Sequence, residues 1–149
     1  MNLFKPAFIG VAAAALAITA CTSGKPVEET VSGLNPARFD SIVNNKKTAL
    51  FTLKNSNGME VCITNFGGRV VSLVVPDANG KPTDVVLGYD NLKQYTDSVN
   101  SPSDFGSSVG RYANRIGGGK LTVAGKTYQL PQNNFGHCLH GGPSGWMYQ

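Results

Sequence analysis

The chain has 149 residues, room for one domain and not comfortably for two. Hydrophobic residues make up 41% and charged residues only 15%, a balance that excludes an intrinsically disordered protein. The net charge of +4 is spread along the chain, with only Lys46 and Lys47 adjacent, so nucleic-acid binding through a concentrated basic footprint is excluded too.

Residues 1–20 read as an export signal rather than as part of the fold. Lys5 supplies a short positive region, residues 7–18 form an apolar run, and that run is too short to span a bilayer as a mature helix. Ile18-Thr19-Ala20-Cys21 is similar to the lipobox of bacterial lipoproteins. This resemblance implies cleavage before Cys21, lipidation there, and an exported protein anchored to a bacterial membrane on its periplasmic or cell-surface side. An ordinary secretory signal with an incidental Cys21 is the other reading. Residues 21–37 carry Gly24, Pro26, Glu28, Glu29, Ser32 and Gly33 with few apolar side chains, and read as a flexible tether. The folded part is expected over 38–149.

From there the dominant period is two. Residues 48–53 read as a strand, Asn55-Ser56-Asn57-Gly58 as a turn, and residues 59–64 as the returning strand. A second pair is 69–75 with 84–87, turning at Pro76-Asp77-Ala78-Asn79-Gly80. A third is 120–123 with 126–130, turning at Ala124-Gly125. Residues 90–95 fit one short turn of helix. Short strands at regular spacing, with 18 glycines and eight prolines between them, predict an all-β antiparallel sandwich or barrel. Cys62 and Cys138 are either a disulfide, which export would permit, or two small buried side chains. The second is favoured, because Cys62 lies within an apolar strand pattern.

Two segments break this rhythm, 104–119 and 131–145, both rich in glycine. Irregular connections on a β scaffold are where sites sit. In the first, residues 110–116 read Gly-Arg-Tyr-Ala-Asn-Arg-Ile, and on an extended chain Arg111 and Arg115 share a face and one cleft. Surface or strand-pairing arginines are the equal alternative. Residues 106–111 have the wrong glycine spacing for a phosphate loop and carry Arg where Lys-Ser/Thr is required. In the second, Gly141-Gly142 allows close backbone approach beside His140, which can then bond a ligand oxygen or move a proton. His137, Cys138 and His140 cluster, but their spacing fits no standard zinc template, and no metal is expected.

Several motifs in one order now converge. Asn65-Phe66-Gly67-Gly68, Pro76-Asp77 with Asn79-Gly80, Asp84-Val85-Val86-Leu87-Gly88-Tyr89, residues 110–116 and Leu139-His140-Gly141-Gly142 together resemble the N-terminal part of the aldose 1-epimerase (galactose mutarotase) family. The likeness runs over roughly residues 39–146. It implies an antiparallel β-sandwich of the galactose mutarotase type and interconversion of α and β anomers of hexoses such as galactose and glucose. No cofactor is implied, since acid and base catalysis suffices. By the same resemblance Arg115 and His140 bind the sugar near its ring oxygen, with His140 assisting the acid, and Asn114 is a neighbouring substrate contact. His137 stands where the family usually has another residue and receives no role.

The resemblance also places the family's acid histidine and base glutamate well beyond the Leu-His-Gly-Gly motif. After His140 this chain contains no histidine, aspartate or glutamate. The expectation is therefore an N-terminal portion, inactive alone and poorly soluble because half a sandwich exposes strand edges and apolar faces. A non-catalytic carbohydrate-binding lipoprotein on the same fold is the alternative. An epimerase of phosphorylated hexoses is disfavoured by export.

Overall fold

A computed structural model describes residues 29–149, and the expected signal, Cys21 and the expected tether up to residue 28 lie outside the described residues. Residues 29–37, expected as part of a tether, are bound to the fold. Thr30 and Leu34 are buried, and Thr30 Oγ1 accepts the Leu34 N–H at 2.8 Å to close a turn. The Val31 N–H donates to Glu60 Oε1 at 2.7 Å, so the chain is fastened well before residue 38. Leu34 is the side chain that the compositional reading overlooked, one apolar residue in a polar stretch that joins the core.

A 3-10 turn over Pro36–Phe39 follows, capped by Asn35, whose side chain accepts the Ala37 N–H. Strands β1 (Ser41–Val43) and β2 (Lys46–Thr48) form a hairpin that the period-two reading missed. Its strands are too short and too polar to show alternation. Asn44 and Asn45 both take positive φ, 51° and 60°, which asparagine tolerates because its short side chain bonds locally.

Strands β3 (Leu50–Lys54), β4 (Glu60–Thr64), β5 (Arg69–Pro76) and β6 (Pro82–Asp84) form one four-stranded antiparallel sheet in that order. The first expected hairpin appears with Cys62 opposite Thr52 and Leu53 opposite Val61. The β4–β5 register slips between Cys62, opposite Ser72, and Ile63, opposite Val70, so Val71 is the extra residue of a bulge on β5, and both Val71 and Ser72 are buried. The second hairpin ends earlier than predicted. The Val85 N–H still donates to the Leu73 carbonyl at 3.0 Å, but Asp84 Oδ1 accepts both the Leu73 and the Val86 N–H at 3.0 Å, a side-chain cap that ends the ladder there.

One face of the sheet carries Cys62 and Val71 into a core with Leu34, Phe39, Phe66, Leu92 and Tyr95. Leu92 and Tyr95 come from α1 (Leu92–Thr96), the short helix anticipated, capped by the Asn91 side chain on the Gln94 N–H at 3.0 Å. Phe39 is fully buried, worth about 2–3 kcal/mol in area removed from water. On the opposite face Phe51 and Leu53 remain 53% and 60% exposed, beside half-buried Val61, Ile63 and Leu73.

Arg69 ties this sheet to the site-bearing loops. It is 1% exposed, its Nη1 donates to the Ser103 and Phe105 carbonyls at 2.8 and 3.2 Å, and Nη2 donates to the Met147 carbonyl at 3.4 Å. Its guanidinium carbon lies 4.7 Å from the centroid of the Tyr95 ring. Burial lowers the Arg69 pKa from its ordinary range, while Tyr95 and Asp104 oppose that shift. The remaining strands are β7 (Arg115–Ile116), β8 (Lys120–Val123), β9 (Lys126–Gln129) and β10 (Cys138–Leu139). The third expected hairpin is the β8–β9 pair, and β7 pairs antiparallel with β10. Every sheet is antiparallel, as the sequence pattern predicted, and among the described residues none closes into a barrel.

Candidate functional site

The β7–β10 ribbon is only two residues a side, yet it brings the two glycine-rich motifs together. Leu139 stands opposite Arg115, and Cys138 opposite Ile116. Asn133 braces β10 from beyond its edge, its Oδ1 accepting the Leu139 N–H at 2.9 Å and its Nδ2 donating to the Leu139 carbonyl at 3.1 Å. Just past the ribbon, the Asn114 N–H donates to His140 Nδ1 at 3.1 Å, and the His140 N–H donates to the Asn114 carbonyl at 3.1 Å. Both residues take positive φ, 53° and 50°, a conformation stored at few non-glycine positions and often at sites.

The motifs touch through their glycines. A Cβ on Gly141, where φ is 88°, would overlap the Gly110 carbonyl oxygen, and one on Gly110 would enter the Trp146 indole. That carbonyl accepts the Trp146 N–H at 3.0 Å. The whole unit is joined to the sheet by Val70 N–H to Gly106, Ser108 N–H to Gly67 and Gly67 N–H to Gln149, at 2.9, 2.9 and 2.8 Å.

His140 is half-buried, and Asn114 and Arg115 are exposed. A neutral imidazole that accepts at Nδ1 carries its proton on Nε2, and His140 Nε2 has no hydrogen-bond partner among the described residues. Arg115 points Nε and Nη2 at Asn134 Oδ1, 3.0 and 2.8 Å away. The arrangement therefore offers an N–H donor and a positively charged fork on one short ribbon, a set suited to neutral oxygens that gain negative charge.

Arg111 does not share this position. Residues 111–114 bend rather than extend, and Asn114 turns the chain with its positive φ, so a spacing of four no longer means one face. Arg111 is exposed and has no hydrogen-bond partner among the described residues. His137 is likewise taken up locally, its Nδ1 accepting the Gly118 N–H at 3.0 Å. With both histidines using Nδ1 on main-chain amides, no group of three or more metal-ligating side chains is found among the described residues. Cys62 and Cys138 are both free and buried, Cys62 against Glu60 and Thr52, Cys138 near Tyr112.

A separate cleft of about 710 Å³ lies between Val43, Phe66, Tyr95, Asn133, Pro143 and Tyr148. None of Asn114, Arg115 or His140 lines it. Its lining has no charged side chain and no histidine, so the polar ribbon, not this cleft, is the candidate site. Asn133 and Asn134 are residues that sequence reasoning passed over. Their amides beside the Leu-His-Gly-Gly motif were visible, but nothing in the spacing showed which backbone or guanidinium they would meet.

Residues 49–149 match the family model described as aldose 1-epimerase. The chain is 43% identical over 94 residues to a probable aldose 1-epimerase of Arthroderma benhamiae, which covers 61% of this chain and 21% of that protein. It is 42% identical over 91 residues to the galactose mutarotase of Mus musculus, covering 61% and 26% respectively. Among solved structures, a GalM/aldose epimerase homologue from C. elegans superposes with a TM-score of 0.63 at 36% identity, over 68% of this chain and 30% of that one. The aligned part of this chain thus spans about a quarter of the length of the curated relatives it matches.

Proposed function

The chain belongs to the aldose 1-epimerase family, and from that premise we propose that the whole protein interconverts the α and β anomers of a hexose such as galactose or glucose. The observation that carries this reading is the double hydrogen bond between Asn114 and His140 beside the oriented Arg115 guanidinium. In the proposed reaction a base takes the proton of the anomeric hydroxyl and the C1–O1 bond becomes a carbonyl. The ring C1–O5 bond breaks, its electron pair stays on O5, and an acid protonates that oxygen. Rotation about C1–C2 and reclosure give the other anomer.

His140 Nε2–H and Arg115 sit on the ring-oxygen side in this scheme, bonding O5 more strongly as its negative charge grows, which is how binding becomes rate. Asn114 supplies a further polar contact. No acidic side chain of the described residues hydrogen-bonds these three, and residues 141–149 contain no acid or histidine. The base and principal acid are therefore assigned to neither stretch. No cofactor enters the scheme.

The test is polarimetry. Fresh α-D-galactose or α-D-glucose with the whole protein should reach its equilibrium rotation faster than in buffer. Sugar binding without acceleration would instead mark a carbohydrate-binding protein on the same fold. The same reading includes cleavage before Cys21 and lipid attachment there, supported by Lys5, the apolar run 7–18 and the sequence Ile18-Thr19-Ala20-Cys21. Labelled fatty acid should enter the protein and be lost on Cys21→Ala. Label retained in that variant would refute the anchor.

A further inference from the structure

We infer that Asn134 is a positioning residue that aims Arg115 at the sugar, an inference that rests on the mutarotase reading of this site. Asn134 Oδ1 accepts from Arg115 Nε at 3.0 Å and from Nη2 at 2.8 Å. A guanidinium has donors only, so the amide must turn its oxygen and not its nitrogen toward it. Two bonds to one acceptor fix the plane of the fork, and Arg115 Nη1 is left without a hydrogen-bond partner among the described residues. An amide at this place orients the cation and leaves its charge unneutralised. A carboxylate would orient it equally well but cancel the field that a developing oxyanion at O5 requires.

The acceptor is itself immobilised. The Asn134 N–H donates to the His137 carbonyl at 3.0 Å and the His137 N–H to the Asn134 carbonyl at 2.8 Å, around a turn with Phe135 and Gly136 at φ 45° and 76°. His137 Nδ1 then accepts the Gly118 N–H at 3.0 Å. Gly118 follows Arg115 by three residues, so the path from Arg115 through Asn134, His137 and Gly118 returns to the turn that directly follows β7. This closed ring keeps Asn134 at a fixed distance from β7. It also gives His137, which the family resemblance left without a role, a structural one.

The experiment compares Asn134→Ala, Asn134→Asp, Arg115→Ala and the Asn134→Ala/Arg115→Ala double variant in the whole protein. The readouts are galactose mutarotation and the ¹⁵N-detected Arg115 Nε–H resonance. Asn134→Ala should lower kcat/KM about tenfold or more, mostly through kcat, and shift the Nε–H signal to the position of a free side chain. In the Arg115→Ala background the same change should have no further effect. Asn134→Asp should keep the bonded Nε–H signal yet stay slower than the unaltered protein. The inference is overturned by an Nε–H signal indifferent to Asn134→Ala, by a kcat/KM loss of equal size in both backgrounds, or by a lower melting temperature with kcat unchanged. If the unaltered protein leaves the rotation at the buffer rate, the mutarotase reading itself has failed and this inference goes with it. An active unaltered protein separates the two cases.

Discussion

Asn114 and His140 bind each other twice, main-chain N–H to imidazole Nδ1 and main-chain N–H to main-chain carbonyl, each at 3.1 Å. The imidazole is thereby held as the Nε2–H tautomer and cannot rotate about its last torsion without losing a bond. His140→Ala removes the donor that the proposed mechanism places at the ring oxygen, and mutarotation should fall roughly a hundredfold or more, within the range of a lost acid–base group. The Asn114 N–H is left unpaired on an exposed ribbon, so folding should change little. Polarimetry together with far-UV circular dichroism checks both. A folded His140→Ala variant with the parental rate would remove His140 from the site.

Gly110 and Trp146 are packed without room for a methyl group, since a Cβ at Gly110 would lie within the indole. Gly110→Ala must push Trp146 outward and strain the Gly110–Trp146 main-chain bond, at a cost of about 2–4 kcal/mol. Trp146 is the one tryptophan in the 149-residue sequence and 48% exposed, so its emission should shift to the red in this variant. Unchanged emission and an unchanged melting temperature would show the contact to be slack.

The three hairpins with alternating strands, the short helix near residues 90–95 and the two glycine-rich site segments were legible because each is written in local chemistry. The antiparallel all-β class followed from them. The β1–β2 hairpin was hidden by strands of three residues, although the Asn44-Asn45 pair carried the turn signal. The β7–β10 pairing was not legible, because two residues a side give no period and the partners lie 22 and 24 positions apart. Asn114, Arg115 and His140 could be singled out by motif. Their bonds could not, since those depend on positive φ at Asn114 and His140, which motif spacing does not report.

Glu60 is the buried fastening of the N-terminal segment. Its Oε1 accepts the Val31 N–H at 2.7 Å and its Oε2 lies 3.1 Å from the Lys54 ammonium. Glu60→Ala leaves that N–H unpaired and should destabilise the protein by about 1–3 kcal/mol. The segment from 29 to 34 should also become a faster site of limited proteolysis. Equal cleavage in both proteins would mean that Leu34 alone holds the segment.

Burial pushes the Cys62 thiol above its ordinary range, the Glu60 carboxylate adds to that, and the Thr52 hydrogen bond opposes it. The folded state thus holds this proton more tightly than the unfolded chain. The corresponding stability is present below the unfolded thiol's value of about 8.5 and is lost as pH rises from there toward the folded value. Urea unfolding should show stability declining above that pH, and less steeply in Cys62→Val. Iodoacetamide should label Cys62 slowly in the native protein. Parallel pH profiles for the two proteins would count against a buried neutral thiol.

The ribbon's bonds are short-range along the chain: Arg115 to Asn134 and Gly118 to His137 span 19 residues, and Asn114 to His140 spans 26. The Arg69–Met147 bond that docks this unit on the sheet spans 78. Loop-closure entropy rises with separation, so the β7–β10 ribbon should assemble as an autonomous early unit and dock onto the sheet afterwards. Pulse-labelling hydrogen exchange during refolding should find the Asn114 and His140 amides protected before that of Gly67, whose partner is Gln149.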